Sequence, residues 1–356
     1  MKERLYGMIT ELSGIMSVSG FEYRAADKIR ELYSPYFDEI KTDRVGSHTL
    51  IKRCGRDGAP RILIDAHFDE VGMLVSEVLE GGFLRIVNVG GIDPAIMQAA
   101  DIVVYGKEVL RGVVISVPPH LRSGEDKKLP SVDELVVDVG LGYTLDELRD
   151  IAPVGTPVGF APCYSRFANG YMAGKSFDNK ACAAIAICAV SDMKREDMAG
   201  DVYVTLSAHE EVARTGGVAP VCFVEKPDYA MVIDVNLGEG PDTPSRETVP
   251  MAKGISISFS AATDRELTRM TEILCQSAEI PFCRCAAPSS TGTNATAVNL
   301  VGEGIAVVDV GLPLRNMHTY NEVISLVDCE SLYKAVGEFV RSAEIANRFG
   351  KETAYD

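Results

Sequence analysis

The chain has 356 residues, a hydrophobic fraction of 46% and a formal net charge of −16 at pH 7. Its length predicts a main domain with a smaller second one. The acidic balance argues against binding to nucleic acid or to an anionic membrane surface. The sequence has neither the apolar core of a signal peptide nor a run long enough to span a membrane, and its nine cysteines lack C-x-x-C spacing. We therefore expect a cytoplasmic protein with reduced thiols.

The first predicted elements are helical. Apolar residues from Leu5 to Met16 recur with a helical period, and a second helix is predicted over 25–33. Two strand-like segments follow, and then a continuous apolar run over 61–66 that ends in His67. Such a run is typical of a central strand in a sheet whose two faces are both covered.

The sequence pattern between about residue 71 and residue 162 differs from that of the preceding segment. Short β-like segments alternate there with glycine and proline, and one short helix is predicted, over 145–150. The pattern indicates an inserted β-rich domain over 71–162. Residues 1–70 and 163–356 would then form one discontinuous α/β domain around it.

An α/β pattern returns after this insert. Because strands and helices alternate, we expect a mostly parallel sheet that is covered by helices. The chain should close with a single amphipathic helix over 325–348. The other predicted elements are helices over 178–194 and 264–278 and strands over 201–210, 229–234, 254–259 and 305–310.

Polar side chains that could bind a metal follow three of the apolar strands. His67 ends the first strand, Glu210 and Glu211 end the second, and Asp234 ends the third. In an open α/β sheet, ligands gather at the edge formed by the carboxyl ends of the strands. The sequence therefore predicts that these side chains lie close together.

Two further candidates, Asp178 and His318, lie in connecting segments. Taken singly, each candidate has an ordinary explanation, since Asp178 could simply cap a helix. The adjacent Glu210 and Glu211 favour a metal site, because burying two carboxylates costs several kcal/mol unless cations compensate them. If Glu211 binds a metal, Glu210 is left to act on a water molecule. Two histidines with several carboxylates suit zinc, cobalt or manganese.

Residues 66–72, A-H-F-D-E-V-G, resemble the A-H-x-D-E-[IV]-G signature of the tetrahedral, glutamyl-aminopeptidase-like dinuclear metallopeptidases. Some members of that family carry an endoglucanase M label. The resemblance runs nearly from end to end of the chain, which makes it far more specific than one motif. The further matching segments are 17–22, 89–93, 118–120, 137–140, 174–178, 210–212, 233–235 and 312–322.

The resemblance implies a metal-dependent aminopeptidase that removes N-terminal residues from peptides with a metal-activated water. It implies an α/β peptidase domain interrupted by a β-barrel-like dimerisation domain, in a homo-oligomer built from dimers, with tetrahedral dodecamers known in the family. It also implies two divalent metal ions per subunit, zinc or cobalt ahead of manganese. The implied residue roles are His67 and Asp234 for one ion, Glu211 and His318 for the other, Asp178 as the bridge, Glu210 as general base, and Asp69 as the carboxylate that orients His67.

The sequence departs from the family pattern at four places, none of which removes a predicted ligand. Residues 213–217 replace G-L-R-G, Asn179 and Asn294 replace aspartates, and Asn316 replaces a tyrosine. Two alternatives therefore stay open. One is a glycosidase, which needs a pair of carboxylates but no histidine ligands, although the chain has no Trp for sugar stacking. The other is a non-catalytic assembly homologue.

Overall fold

The computed structural model describes residues 1–116, 130–213, 216–241, 243–244 and 247–350. The matching segment 118–120 and part of the departure at 213–217 lie outside these residues. The helices are α1 (Lys2–Ser13), α2 (Ala26–Tyr33), α3 (Leu145–Ile151), α4 (Phe177–Ser191), α5 (Val218–Glu225), α6 (Arg265–Ser277), α7 (Ala295–Asn299), α8 (Leu326–Arg341) and α9 (Ala343–Phe349).

The strands belong to two separate β-structures, a large sheet and a barrel. Those of the sheet are β1 (Glu39–Thr42), β2 (His48–Lys52), β3 (Arg61–His67), β10 (Tyr164–Arg166), β11 (Tyr171–Gly174), β12 (Asp201–Ser207), β13 (Tyr229–Leu237), β14 (Ile255–Ser260), β15 (Phe282–Ala287), β16 (Ala306–Arg315) and β17 (Glu322–Ser325). Those of the barrel are β4 (Gly72–Leu79), β5 (Phe83–Val89), β6 (Asp101–Tyr105), β7 (Val109–Val114), β8 (Val136–Asp138) and β9 (Pro157–Phe160).

The main domain is built on the 11-stranded sheet, in the order β1-β2-β12-β3-β13-β16-β17-β11-β10, with β14 beside β16 and β15 beside β14. Its central strands β12, β3, β13 and β16 run parallel, whereas β2 and β17 flank them in the antiparallel sense. Ser207 pairs with His67, and Val232 pairs with Asp65, so Asp234 lies level with His67. The carboxyl ends of the central strands therefore meet at one edge of the sheet.

Helices cover both faces of this sheet. On one face α4 packs against β3 and β13, and α1 and α8 cover α4 in turn. Because it is enclosed on all sides, α4 is buried around its whole circumference from Phe177 to Val190. On the other face α5 and α7 contribute Val218 and Val298, which pack in one cluster with Leu63 of β3.

The chain leaves the sheet directly after β3 and forms a closed barrel in the order β4-β5-β8-β7-β6-β9. All barrel pairs are antiparallel. The barrel has a hydrophobic core of its own, which includes Met73, Ile86 and Val137. The predicted fold class, an α/β domain with a parallel central sheet, helical layers and a barrel-like insert, is confirmed.

Several predicted elements differ from the structure. The strands predicted to end at residues 234 and 310 continue to Leu237 and Arg315. The single helix over 325–348 is wrong, because Ser342 adopts an extended conformation between α8 and α9 and its hydroxyl accepts the amide of Ile345. Apolar residues on both sides of the break, such as Val340 and Ile345, enter the same core, so the pattern does not reveal it. The strand predicted over 201–210 ends at Ser207, and the two glutamates follow in a turn.

The fold is assembled without disulfides, since all nine cysteines are free thiols. Within the ranges that the structure describes, no helix combines the length and the apolar character that crossing a bilayer requires.

Candidate metal centre

The predicted metal ligands meet at the carboxyl edge of the central sheet. His67 is the last residue of β3, and its Nε2 lies 3.7 Å from Oδ1 of Asp234 in β13. Both side chains are buried. The parallel register of β3 and β13 brings them level, so the backbone alone places this pair side by side.

Asp178 lies between the two predicted histidine ligands. Its Oδ1 is 3.0 Å from Nε2 of His67, and its Oδ2 is 3.4 Å from Nε2 of His318. Asp178 stands at the N-terminal end of α4, and its peptide bond to Asn179 is cis. One carboxylate thus presents an oxygen to each histidine, which is the arrangement that a bridging ligand requires.

The second predicted pair lies on the other side of Asp178. Nε2 of His318 is 3.2 Å from Oε2 of Glu211, and Glu211 follows β12 in the turn described above. Ligand atoms of His67, Asp178 and Glu211 all lie within 4.8 Å of one another. The structure therefore brings together side chains from β3, α4, the β12 turn, β13 and the segment between β16 and β17.

The acidic side chains crowd one another. Burial, together with the nearby Asp178, raises the pKa of Glu211 to about 7, and burial raises the pKa of Asp234 well above its usual range. Although burial opposes it, hydrogen bonds with His318 and His67 lower the pKa of Asp178. Hydrogen bonds with Asp178 and Glu211 raise the pKa of His318 to about 11. Such a concentration of buried carboxylates around two imidazoles fits divalent cations.

Asp69 supports the turn that carries the two glutamates. Its Oδ1 accepts the amide of Glu210 at 3.0 Å, its Oδ2 accepts the amide of Glu211 at 3.1 Å, and the hydroxyl of Ser19 donates to the same carboxylate. The main-chain oxygen of Asp69 lies 3.1 Å from Nδ1 of His67, whereas its carboxylate is 3.6 Å from that atom. A proton on Nδ1 held there leaves Nε2 free for a metal. The contacts of Asp69 thus reach both His67 and the glutamate turn.

Glu322 is a site residue to which sequence reasoning gave no role. Its buried carboxylate accepts the amides of Asp178 and His318, each at 3.0 Å, and so joins two of the predicted ligands through their backbones. It is the first residue of β17, a short strand that was not predicted. Its place at the end of the matching segment 312–322 was the only signal.

Glu70 forms a second buried cluster behind the site. Its carboxylate contacts the ammonium of Lys175 and the hydroxyl of Ser176, and it lies 3.1 Å from Nζ of Lys180. Although burial opposes it, the two lysines lower the pKa of Glu70 to about 2. The cluster fastens the segment after β3 to the start of α4. The only sequence signals for it are the motif that contains Glu70 and the matching segment 174–178.

Two departures from the family pattern have a local explanation. Nδ2 of Asn294 donates to Asp65 and to the hydroxyl of Ser207, each at 2.9 Å. Nδ2 of Asn179 donates to the main-chain oxygen of Ile233 at 2.9 Å. An ionised aspartate could donate at neither position, so an amide suits these surroundings better.

Residues 46–334 match the family model described as M42 glutamyl aminopeptidase. The chain belongs to this family. A lysyl aminopeptidase of Pyrococcus furiosus is 26% identical over 322 residues, which cover 89% of this chain and 91% of that relative. The sequence matches the M42 family over most of the chain. The resemblance described in the sequence analysis is thus confirmed.

Solved structures of TET peptidases superpose on nearly the whole chain. A TET aminopeptidase from a marine sediment Thaumarchaeota archaeon has a TM-score of 0.88 and 27% identity, over 98% of this chain and 99% of that one. The TET1 peptidase of Pyrococcus horikoshii, which can assemble into a tetrahedron or a large octahedral shell, has a TM-score of 0.82 and 25% identity, over 94% and 99%. The α/β domain and its barrel insert are therefore the fold of this group.

Proposed function

We propose that the protein is a metal-dependent aminopeptidase that binds two divalent ions, zinc or cobalt ahead of manganese, and removes N-terminal residues from peptides. The observation that carries the proposal is the position of Asp178, with one oxygen toward His67 and the other toward His318. We assign His67 and Asp234 to one ion and Glu211 and His318 to the other. Membership of the M42 family supports the peptidase activity.

The bound ions would polarise the scissile carbonyl and lower the pKa of a water molecule. The chain itself supplies the proton transfer, which we assign to Glu210. Burial raises the pKa of its carboxyl, which brings the group closer to the neutral range where an acid–base catalyst works best. Glu210 would take a proton from the attacking water and return it to the leaving amine. Asp69, which accepts the Glu210 amide, would hold the turn in place.

The similarity to the TET1 peptidase of Pyrococcus horikoshii, which can assemble into a tetrahedron or a large octahedral shell, supports a homo-oligomer. We propose that it is built from dimers. We assign the dimer contact to the barrel domain, residues 71–162 of the predicted division. The barrel exposes apolar side chains on β7 and beside it, where Val109 is 65% and Ile115 is 40% exposed. Apolar side chains grouped on one strand are a common feature of protein–protein contacts.

The test is a pair of isosteric substitutions in the glutamate turn. Glu210→Gln should keep both metals and lose about 10²–10⁴-fold in kcat, because it removes the proton acceptor and no proposed ligand. Glu211→Gln should instead lose metal. Metal content by mass spectrometry and hydrolysis of a panel of unblocked peptides with zinc, cobalt and manganese would be compared. A Glu210→Gln variant with the wild-type rate would refute the assignment.

The same assays separate the alternatives. A glycosidase would hydrolyse oligosaccharides with a chelator present, whereas the proposed peptidase should lose activity under these conditions. A non-catalytic homologue would bind metal and leave every peptide in the panel intact. The grouping of the carboxylates around two histidines, rather than across an open cleft, favours the peptidase.

A further inference from the structure

A cavity of about 650 Å³ adjoins Glu210 on the side of α7. Its volume lies within the range of roughly 300–1,000 Å³ that is usual for small-molecule sites. The described residues that line it come from the β12 turn, from α5, from α7 and from the segment before α7. They are Glu210, Ala219, Ser290, Gly292, Thr293, Thr296, Ala297, Leu300 and Val301.

The polar groups of this wall are few and uncharged apart from Glu210. The hydroxyl of Thr293 donates to Oδ1 of Asp309 at 2.7 Å, and the hydroxyl oxygens of Ser290 and Thr296 lie 3.3 Å apart. Among the described lining residues, Glu210 is the one that carries a charge. The rest of the wall is alanine, glycine, leucine and valine, so the cavity offers mainly apolar contact area.

The position of the cavity relates it to one part of a peptide. A general base lies within about 2.6–3.2 Å of the oxygen atom whose proton it abstracts. The attacking water must therefore lie beside Glu210, and the carbonyl that it attacks must lie next to this water. In an aminopeptidase this carbonyl belongs to the N-terminal residue, whose side chain branches one bond away. A concave space beside Glu210 suits that side chain, because the remainder of the peptide must extend out to solvent.

We propose that this cavity receives the side chain of the N-terminal residue and selects uncharged, apolar side chains such as those of leucine and methionine. The inference rests on the proposed function. The carboxylate of a substrate glutamate would lie beside Glu210 and the apolar wall. Its burial would be unfavourable, because the described lining residues include no cation to compensate it. A lysine would find Glu210 as its single charged partner and would occupy the base. The chain thus differs in preference from its lysyl aminopeptidase relative.

The first test uses dipeptides that differ in one residue. With X-Ala substrates, kcat/KM for leucine and methionine should exceed that for glutamate and lysine by at least about tenfold, which corresponds to about 1.4 kcal/mol. Changing the second residue should alter kcat/KM less. A preference for a charged first residue, or a rate set by the second residue, would overturn the proposal.

The second test changes the charge of the wall. Thr296→Lys should raise the ratio of glutamate to leucine turnover, and Thr296→Glu should raise the ratio of lysine to leucine turnover, each about tenfold. Asn299→Lys is the matched control, because it adds the same charge to α7 at a residue that lines a different cavity. If neither Thr296 variant moved its ratio, or if Asn299→Lys moved it equally, the cavity would not be the subsite.

A binding measurement keeps the two proposals separate. Calorimetry with free leucine, glutamate and lysine reports on the cavity without turnover, and leucine should bind most tightly to the wild-type protein loaded with zinc. Thr296→Lys should reduce this advantage over glutamate. If the protein showed these affinities but hydrolysed no peptide, the proposed function would be refuted and the cavity assignment would stand. Equal affinities for the three amino acids would overturn the cavity assignment.

Discussion

Asp69 shows how much of the candidate centre depends on one carboxylate. It accepts the amides of Glu210 and Glu211 and the hydroxyl of Ser19, while its backbone oxygen faces His67. Accepting both amides at once uses both oxygens of the ionised carboxylate. The carboxylate of Asp69 therefore holds the backbone of the proposed base and of one proposed ligand in position.

We predict that Asp69→Asn weakens metal binding about 10–100-fold, because one of the two turn amides loses its acceptor. Competitive chelator titration would measure the affinity, and kcat would fall with it. Ser19→Ala is the control, since it removes one hydrogen bond to the carboxylate and leaves both amides held. Unchanged metal affinity in Asp69→Asn would show that the turn is positioned by other contacts.

Asp309 provides a pH-dependent contribution to stability away from the proposed ligands. It is buried in β16 and accepts the hydroxyl of Thr293. Burial raises its pKa from 3.8 to about 6. A raised pKa in the folded state means that this contribution is fully present below pH 3.8 and is lost as the pH rises through about 6.

For this reason we predict that Asp309→Asn flattens the pH dependence of stability. Between pH 4 and pH 7 the wild-type free energy of unfolding should fall by about 2 kcal/mol relative to that of the variant. Urea titrations followed by circular dichroism, with a chelator and at fixed protein concentration, would measure the difference. Parallel pH profiles for the two proteins would contradict the prediction.

At this scale the sequence could predict side chains whose chemistry is distinctive. His67 and Asp234 follow apolar runs, and Glu211 belongs to an acidic pair, so each is conspicuous in the pattern. Glu322 acts by accepting two backbone amides from distant segments. No residue type or spacing encodes such a contact, because it depends on how β17 returns to α4.

At the scale of elements, the segment after β3 and the start of α4 are joined through Glu70. One buried carboxylate there faces the two buried ammonium groups of Lys175 and Lys180. Its pKa is lowered to about 2, so the stability it contributes is full above 4.5 and is lost as the pH falls toward 2. The Ser17 amide also donates to it, at 3.2 Å.

Glu70→Gln should destabilise the protein by about 3–5 kcal/mol at pH 7, because it removes the buried partner of the Lys175 ammonium. Burial lowers the pKa of Lys180 to about 7, so that side chain can lose its proton in the variant. Glu31→Gln is the matched control. Glu31 is 67% exposed in its ion pair with Lys28, and its loss should cost less than about 1 kcal/mol. Thermal and urea unfolding would report both values, and similar losses for the two variants would argue against the buried cluster.

Helices and strands could be predicted where one face is buried or where the whole element is buried, because both cases leave a clear hydrophobic pattern. β3 and β13 are central strands and read as continuous apolar runs. Short strands near the end of the sheet, such as β10 and β17, were missed because three or four residues carry too little pattern. The break at Ser342 was missed because hydrophobic periodicity reports which face is buried and not whether the backbone is continuous.

At the scale of the whole molecule, the barrel has a core separate from that of the sheet and presents apolar side chains outward. We therefore predict that Val109→Glu combined with Val113→Glu reduces the mass of the assembly, because charges on a buried contact must be desolvated. Light scattering would measure the mass. Ile273→Glu, an exposed position on α6, is the control.

A fully assembled double variant would place the subunit contact outside β7. Circular dichroism would first establish that the barrel is folded in the double variant. We expect it to be folded, because both valines are more than a third exposed and do not belong to the barrel core.

The proposed ligands are spread from His67 to His318, and the barrel separates the first of them from the rest. A ribosome must therefore synthesise the barrel and most strands of the sheet before the last imidazole can join the others. Fragments released before His318 lack a complete centre. The order of segments along the chain thus withholds the proposed activity until each of these segments has been translated.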